Sequence, residues 1–477
     1  MKLKSQLIFT LIIFITISIR INSQSFTWLG TLGGDESEAF AVSNDGSIVV
    51  GESKNSNDED RAFRWTVSGG MQTLSGTSNI ESMASSISSD GTIIVGTTED
   101  EFGTEKAFRW TETNSLEYLT QLGGDPFIES DAQGISADGS RIVGQIQNTS
   151  GEYRGFIWAE SFGMKELDVL IGGDSTSLVN SIDGDGSLLV GWSSDENYNQ
   201  RPVDWRDYIS NAMPIPVISG NGVAEAISEN GTYAVGRIIM NGNEMHGFRW
   251  HKVPPGYWDP EVDLGFLSGI TNPEVCYALD VSDDGLVVGF TTGQNPNGIV
   301  AFLWGQINTL TNVMYDLNVV YSNLINQSGY LLQANAITPD GRFIVGQGYR
   351  PSLQRYEAFL LDRGEPTSVN ESNLALDKYS LEQNYPNPFN PSTTISFSIP
   401  NEEFVSLKVF NSLGEEVAEL VNETKPAGNY SISFDAGSHS GSVRNLPAGR
   451  QGLTSGIYFY KIFAGSYSQT RKMILLK

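Results

Sequence analysis

Seven copies of one short phrase run through this 477-residue chain and confine it to a repeat architecture. The first copy reads VSNDGSIVVG and the last ITPDGRFIVG. They end at Gly51, Gly96, Gly144, Gly191, Gly236, Gly289 and Gly346, spaced 45 to 57 residues apart. A second phrase follows each: AFRW at Trp65 and Trp110, GFIW at Trp158, PVDW at Trp205, GFRW at Trp250 and AFLW at Trp304. The seventh copy reads AFLL and ends at Leu361. A period of this length, with several short strands per unit, is the mark of a β-propeller.

The second copy shows how one unit folds. Ser85–Ser88 alternates as a half-buried strand, and Ser89, Asp90 and Gly91 make a tight turn. Thr92–Gly96 returns as a β-branched, nearly all-apolar strand, suited to burial on both faces. A polar loop, the AFRW strand and a fourth strand at Leu116–Leu119 complete a four-stranded blade. The turn recurs as Asp45-Gly46, Asp138-Gly139, Asp185-Gly186, Asp284-Gly285 and Asp340-Gly341, with Asn230-Gly231 in the fifth copy. Gly accepts positive φ there, and the Asp or Asn oxygen caps the turn. Calcium ligation would need the full D-x-D-x-D-G loop with its distal Glu, and neither is present. The six Trp residues in register read as wedges between blades. Arg64, Arg109 and Arg249, each just before a Trp, are expected to pair with neighbouring carboxylates.

The ends of the array fit a closed ring. The seventh copy stops after AFLLDRG without a fourth strand, while SFTWLGTLGGD from Ser25 matches the end of a unit. A strand donated from Ser25 into the last unit would close the ring and remove free sheet edges. The expectation is an all-β chain. It has a seven-bladed β-propeller over residues 25–363, a linker over 364–380 and a small Ig-like β-sandwich over 381–477.

Residues 1–24 read as a secretory signal: Lys2 and Lys4, an apolar run over Leu7–Ile19, then small and polar residues around Ser23. That run is short for a membrane span, and no later segment approaches spanning length. No transmembrane segment is therefore expected after signal removal. The formal charge is −27, and removing residues 1–24 leaves 26 basic residues against 56 acidic ones. From Leu381 onward the charges balance, so the acidic excess lies in the repeat region. Such a field argues against nucleic acid and suits divalent cations or basic partners. The single cysteine, Cys276, lies in the apolar stretch VCYALDV and reads as core.

Phrases of the form A-x-x-I-S-x-D-G-S-x-I-V-G followed by A-F-x-W resemble the bacterial extracellular HAF repeat family over Ser25–Gly364. The His of that pattern is kept only loosely, at His246. This resemblance implies fold and location and supplies no catalytic residues. The last segment holds NYPNPFNPSTTI, LKVFNSLGEEV, SGIYFYK and RKMILLK, and with them Pro386, Pro388, Gly456, Tyr458 and Lys472. It resembles the C-terminal sorting domain of the type IX secretion system of Bacteroidetes and their relatives. That implies passage through the type IX secretion machinery, guided by the tail, with tail cleavage and release or attachment at the outer cell surface. The stretch Gly437–Gly452 interrupts the family pattern and reads as an inserted surface loop.

The three His residues are His246, His251 and His439, and no G-x-S-x-G or H-E-x-x-H phrase occurs. No cofactor is implied, and a non-enzymatic role is expected. The alternative is a secreted propeller hydrolase or lyase that works on polysaccharide with a carboxylate pair. Functional grafts are sought where the repeat breaks. The longest break, HKVPPGYWDPEVD at His251–Asp263, places Tyr257, Trp258, Asp259 and Glu261 in a proline-rich loop. Exposed aromatics beside carboxylates stack on and hydrogen-bond sugars, so an extracellular glycan or protein is the expected ligand. The plainer reading of this loop is an insertion whose Trp258 packs on the blade edge. A second break, Tyr315–Gln333, reads as an extra short helix. The GGD turns at Asp35, Asp125 and Asp174 read as an acidic rim or as turn caps.

Overall fold

The computed structural model describes residues 24–476 except 78–79, 120–128, 174–175, 207–211, 218–220, 241–243, 254–255, 269–274, 294–297, 308–309, 327, 365–378, 382–383, 385–386, 400–402, 426–427, 437–452 and 466. Residues 1–23 of the expected signal, most of the linker, the Gly437–Gly452 insertion, Asp125, Asp174 and Pro386 thus lie outside the described residues.

Each copy of the phrase builds one antiparallel sheet. In the second, Ser82–Ile87, Ile93–Glu99, Glu105–Thr111 and Ser115–Tyr118 follow one another in order. Between Ser25 and Asp362 the described strands form seven such sheets, and the fifth has an additional short strand, Val262–Asp263. The first strand of each repeat packs against that of the next, and Tyr330–Ile337 of the last packs against Gly33–Val42 of the first. The second strands are sequestered on both faces, with Ile94, Val95, Leu189 and Val190 fully buried.

The Gly that ends each phrase has a steric cause. In all seven sheets the first strand carries a β-bulge at the same place, such as between Ala84 and Ser86. Beside it a carbonyl closes on the second strand. A Cβ on Gly96 would lie 2.0 Å from Met83 O, one on Gly191 2.0 Å from Leu178 O, and one on Gly346 2.1 Å from Gln333 O. No side chain fits there without moving backbone.

The Asp-Gly turns fold as the sequence suggests. Their seven Gly residues have φ between 68° and 85°. Asp90 Oδ1 accepts from Thr92 N at 3.0 Å and from Ser88 Oγ at 2.7 Å, and the pattern recurs at Asp45, Asp138 and Asp340. The residue two before each turn Gly ties neighbouring sheets together. Asn44 N donates to Ser89 O, Ser89 N to Ala137 O, Ala137 N to Gly184 O and Gly184 N to Glu229 O, at 2.7–3.1 Å. Between the fifth and sixth sheets the Asp283 carboxylate substitutes, accepting from Asn230 N at 2.8 Å. Asp283 N then donates to Pro339 O at 2.9 Å. Pro339 has no N–H to pass on to Asn44, so the circle of bonds is open at that point.

The Trp residues wedge between sheets. The indole N–H groups of Trp110, Trp205 and Trp250 donate to Ser75 O, Asp168 O and Pro216 O, each just past the last strand of the preceding sheet. Arg109 pairs with Glu117 at 3.5 Å, as expected. Arg249 does not take a carboxylate. It donates to Gly285 O at 2.7 Å and lies over the rings of Tyr233 and Trp304, because a planar guanidinium packs well on aromatic faces. Cys276 is fully buried, and burial pushes its thiol up to about 12.

The last sheet is built from both ends of the array. Ser25–Gly30 pairs antiparallel with Arg355–Asp362, Thr27 facing Leu360. Trp28 Nε1 donates to Ser328 Oγ at 2.9 Å. The break after the sixth sheet forms two one-turn helices, Leu317–Val320 and Ser322–Ile325. Among the described residues no helix is long and apolar enough to cross a membrane.

Beyond the linker, a three-stranded sheet (Ser380–Leu381, Ser392–Ile399, Gly428–Asp435) and a four-stranded sheet share one core. The second sheet runs in the order Glu416–Lys425, Glu403–Phe410, Gly456–Ala464, Tyr467–Leu475. Ile395, Phe397 and Phe434 meet Val405, Leu407, Tyr460 and Ile462 between them.

Candidate functional site

The broken repeat separates its two aromatics. Met245–Val253 pairs with the two-residue strand Tyr257–Trp258, which turns Tyr257 outward and Trp258 inward. Tyr257 is 70% exposed, whereas Trp258 is buried in one apolar cluster with Phe248 and Trp250. Trp258 Nε1 donates to Asp204 Oδ2 at 2.6 Å. Asp204 is fully buried and takes a two-pronged contact from Arg206, Nε at 2.9 Å and Nη2 at 2.8 Å. Trp258 therefore offers no free face to a ligand: its N–H satisfies a buried carboxylate that would otherwise answer to Arg206 alone. Asp259 lies beside His251, Oδ2 to Nδ1 3.5 Å, and His251 stacks on Tyr233 with ring centres 5.0 Å apart. Glu261 follows in the same loop, half-buried. Arg206 and Lys252 approach the loop turn together: a Cβ on Gly256 would meet Arg206 Nη1 at 3.6 Å and Lys252 Cε at 4.0 Å. Burial first, then the Arg206 charge, holds the Lys252 ammonium below its ordinary pKa.

A second feature lies where the seven first strands converge. A cavity of about 170 Å³ there takes wall residues from all seven sheets. Its wall mixes small and apolar side chains such as Ala41, Val42 and Ile87 with polar ones such as Ser86, Asn180 and Thr338. Glu229 of the fifth sheet reaches Ser89 Oγ of the second at 2.8 Å and Asn44 Nδ2 of the first at 3.1 Å. Its side chain thus crosses the convergence point. Asp280 of the sixth sheet also lines the wall, and burial pushes its carboxyl up to about 7.

At the opposite ends of the strands lie two acidic clefts. One, of about 260 Å³, is lined by Glu52, Asp60, Glu81, Glu99, Glu105 and Asp131. The other, of about 280 Å³, shares Glu105 and Asp131 and adds Glu129 and Tyr153. Burial, then the charges of Asp60 and Glu38, pushes Glu52 up to about 7; burial does the same to Glu38. Among the described residues no group of three His, Cys, Asp or Glu side chains is arranged to hold a metal ion.

In the tail, Tyr458 is buried and donates to Thr454 O at 2.8 Å, while Lys472 is exposed on the last strand opposite Phe459. Gly456 opens the strand Gly456–Ala464, and Pro388 precedes Phe389. Phe389 is the anchor of the NPFNP stretch. It is buried, its N–H donates to Ile474 O at 2.9 Å, and its carbonyl accepts from Leu476 N.

Glu229, Asp280 and Phe389 escaped the reading of the sequence. Asp280 would have been visible as a departure from its column, since the other copies place small or uncharged residues there, whereas Glu229 shares a variable column with a second acid, Asp283. Phe389 carried the signal of one large apolar residue among prolines.

No protein-family model matches the chain, and no curated protein matches it. Solved structures similar to it include TolB from Acinetobacter baumannii, 15% identical with a TM-score of 0.34, covering 47% of this chain and 58% of that one. A putative TolB from Agrobacterium tumefaciens is 13% identical with a TM-score of 0.37, covering 70% of this chain and 91% of that one. A puromycin hydrolase is 12% identical with a TM-score of 0.44, covering 78% of this chain and 60% of that one. The chain thus spans less than two thirds of the first and third of these proteins. The likenesses assign neither ligand nor reaction.

Proposed function

We propose that this protein is a secreted or surface-attached, non-enzymatic seven-bladed β-propeller that binds an extracellular glycan or protein. An Ig-like β-sandwich tail would direct its export through the type IX secretion machinery. The closed succession of first strands and the strand Ser25–Gly30 in the last sheet support the blade count. That strand begins immediately after the expected signal, which supports a processed and exported chain. The tail motifs support the sorting role.

The observation that carries the binding reading is the exposure of Tyr257 beside Arg206 and Lys252, in a loop that breaks the repeat. The polar residues that do recur are engaged in turns, so specificity falls to the non-repeated part. The test is a glycan and cell-surface array probed with the exported protein and with Tyr257→Ala. Binding lost in the variant, with unchanged melting, supports the reading; binding kept moves the site elsewhere. Deleting residues 381–477 tests export, and the expected result is retention inside the cell.

One observation favours a second reading, a polysaccharide hydrolase or lyase in the acidic cleft. Glu52, pushed up to about 7, shares that cleft with other carboxylates. A protonated and an ionised carboxyl flanking a glycosidic bond is the arrangement glycoside hydrolysis uses. Polysaccharide cleavage lost in Glu52→Gln supports this reading, and absence of cleavage by the native protein removes it.

A further inference from the structure

Carboxylates are out of place in a channel of small side chains, and the axial cavity has two. Asp280 stands where other sheets put Ala41, Ser86, Gly134, Ser181 or Ala336. Its Oδ1 accepts from Val281 N and its Oδ2 from Ile337 N, both at 2.8 Å. A carboxylate offers about four acceptor positions, so about two remain open toward the cavity. The described wall residues include no Lys, Arg or His. The Glu229 side chain, at the mouth, is bonded to the neutral groups of Ser89 and Asn44.

Asp280 faces the cavity with no counter-charge on the described wall, and a cation taken from solvent offsets the cost of ionising it there. The formal charge of −27 raises the local concentration of cations. Among the described residues no group of three His, Cys, Asp or Glu side chains gathers, so a metal ion here would be held largely by neutral oxygens and water. An ammonium group suits the place better. It is compact and carries three N–H donors, enough to reach Asp280 and neighbouring acceptors. The cavity volume of about 170 Å³ equals that of about five or six waters, enough for a short alkyl stem. Val42, Ile87, Ile182 and Val281 are among the wall residues and give its methylenes some apolar contact beside the polar groups.

We propose that the axial cavity binds a primary ammonium group, with Asp280 as its counter-ion and Glu229 guarding the mouth. The group belongs either to a small alkylamine or to a lysine side chain of a partner protein. Calorimetric titration of the full-length protein with n-butylammonium, with a lysine-containing peptide and with n-butanol tests this. At least one ammonium probe is expected to bind and butanol is not. Tighter binding by the peptide identifies a protein partner, and tighter binding by butylammonium a free amine. Asp280→Asn is expected to weaken binding at least tenfold. Ala41→Met narrows the channel from another sheet while both carboxylates are kept and is expected to abolish binding, which keeps the test decisive if Asp280→Asn folds poorly. The proposal is overturned if neither ammonium probe binds, if butanol binds equally, or if binding survives Ala41→Met.

Discussion

Trp28 and Phe359 face each other across one antiparallel pair, although one belongs to the first strand of the array and the other to its last repeat. The last sheet is complete only when both ends of the array are present. Leu29, in the same strand, is buried. Leu29→Ala is therefore expected to cost about 2–4 kcal/mol in urea unfolding. Removing residues 25–30 leaves Arg355–Asp362 as an open edge and should produce concentration-dependent association in size-exclusion chromatography. A monomeric, fully stable truncation would contradict this role for the strand.

The repeat Gly residues answer to a backbone contact and not to flexibility. Gly191→Ala sets a Cβ 2.0 Å from Leu178 O. The expected result is a loss above about 4 kcal/mol or no folded protein at all, read by circular dichroism. Gly456 meets no atom closer than 4.0 Å, and Gly456→Ala should stay within about 0.5 kcal/mol.

Trp258 and Tyr257 should respond in opposite ways. Trp258→Ala empties a packed site and leaves Asp204 without one of its donors, at an expected cost of about 3–5 kcal/mol. Tyr257→Ala removes an exposed ring and should leave the melting temperature within a degree or two. Thermal melts of both variants decide the matter.

Acidity should stabilise the fold across the mildly acid range. Glu38 and Glu52 are pushed up from 4.5 to about 7, by burial in each case. Between those values the folded state binds more protons than the unfolded one, so stability falls as pH rises through the window. Glu38→Gln and Glu52→Gln are expected to raise the melting temperature at pH 8 and to flatten its pH dependence in scanning calorimetry. Asp90 works in the other direction. Its carboxyl is held below the ordinary range, first by the N–H of Thr92, so its contribution is present above that range and is lost as pH falls through the folded value.

Much of the architecture was legible because each repeat encodes one sheet. The Asp-Gly turns, the all-apolar second strand and the Trp wedge depend on local chemistry that a single copy displays. The donated strand was legible too, since SFTWLGTLGGD resembles the end of a unit. The reason for the repeat Gly was not, because the Met83 carbonyl that excludes a side chain from Gly96 comes from the bulge of another strand. The loop at Tyr257 was found as a break, but its sequence could not say which aromatic faces out. That is decided by Asp204, far away in the chain and fully buried, which draws the Trp258 indole inward. Asp280 went unnoticed because averaging over seven copies hides the one that differs, and Glu229 because its column varies from copy to copy and includes Asp283.

Ser25 lies opposite Asp362, so the chain enters and leaves its last sheet at one corner. Tension applied between these two points loads the ladder rung by rung from that corner instead of shearing every rung at once. In a molecule tethered by its C-terminal tail and tugged at its N-terminus, the load on the repeat array falls on this line. The six sheets made from continuous chain would still be shut if it opened.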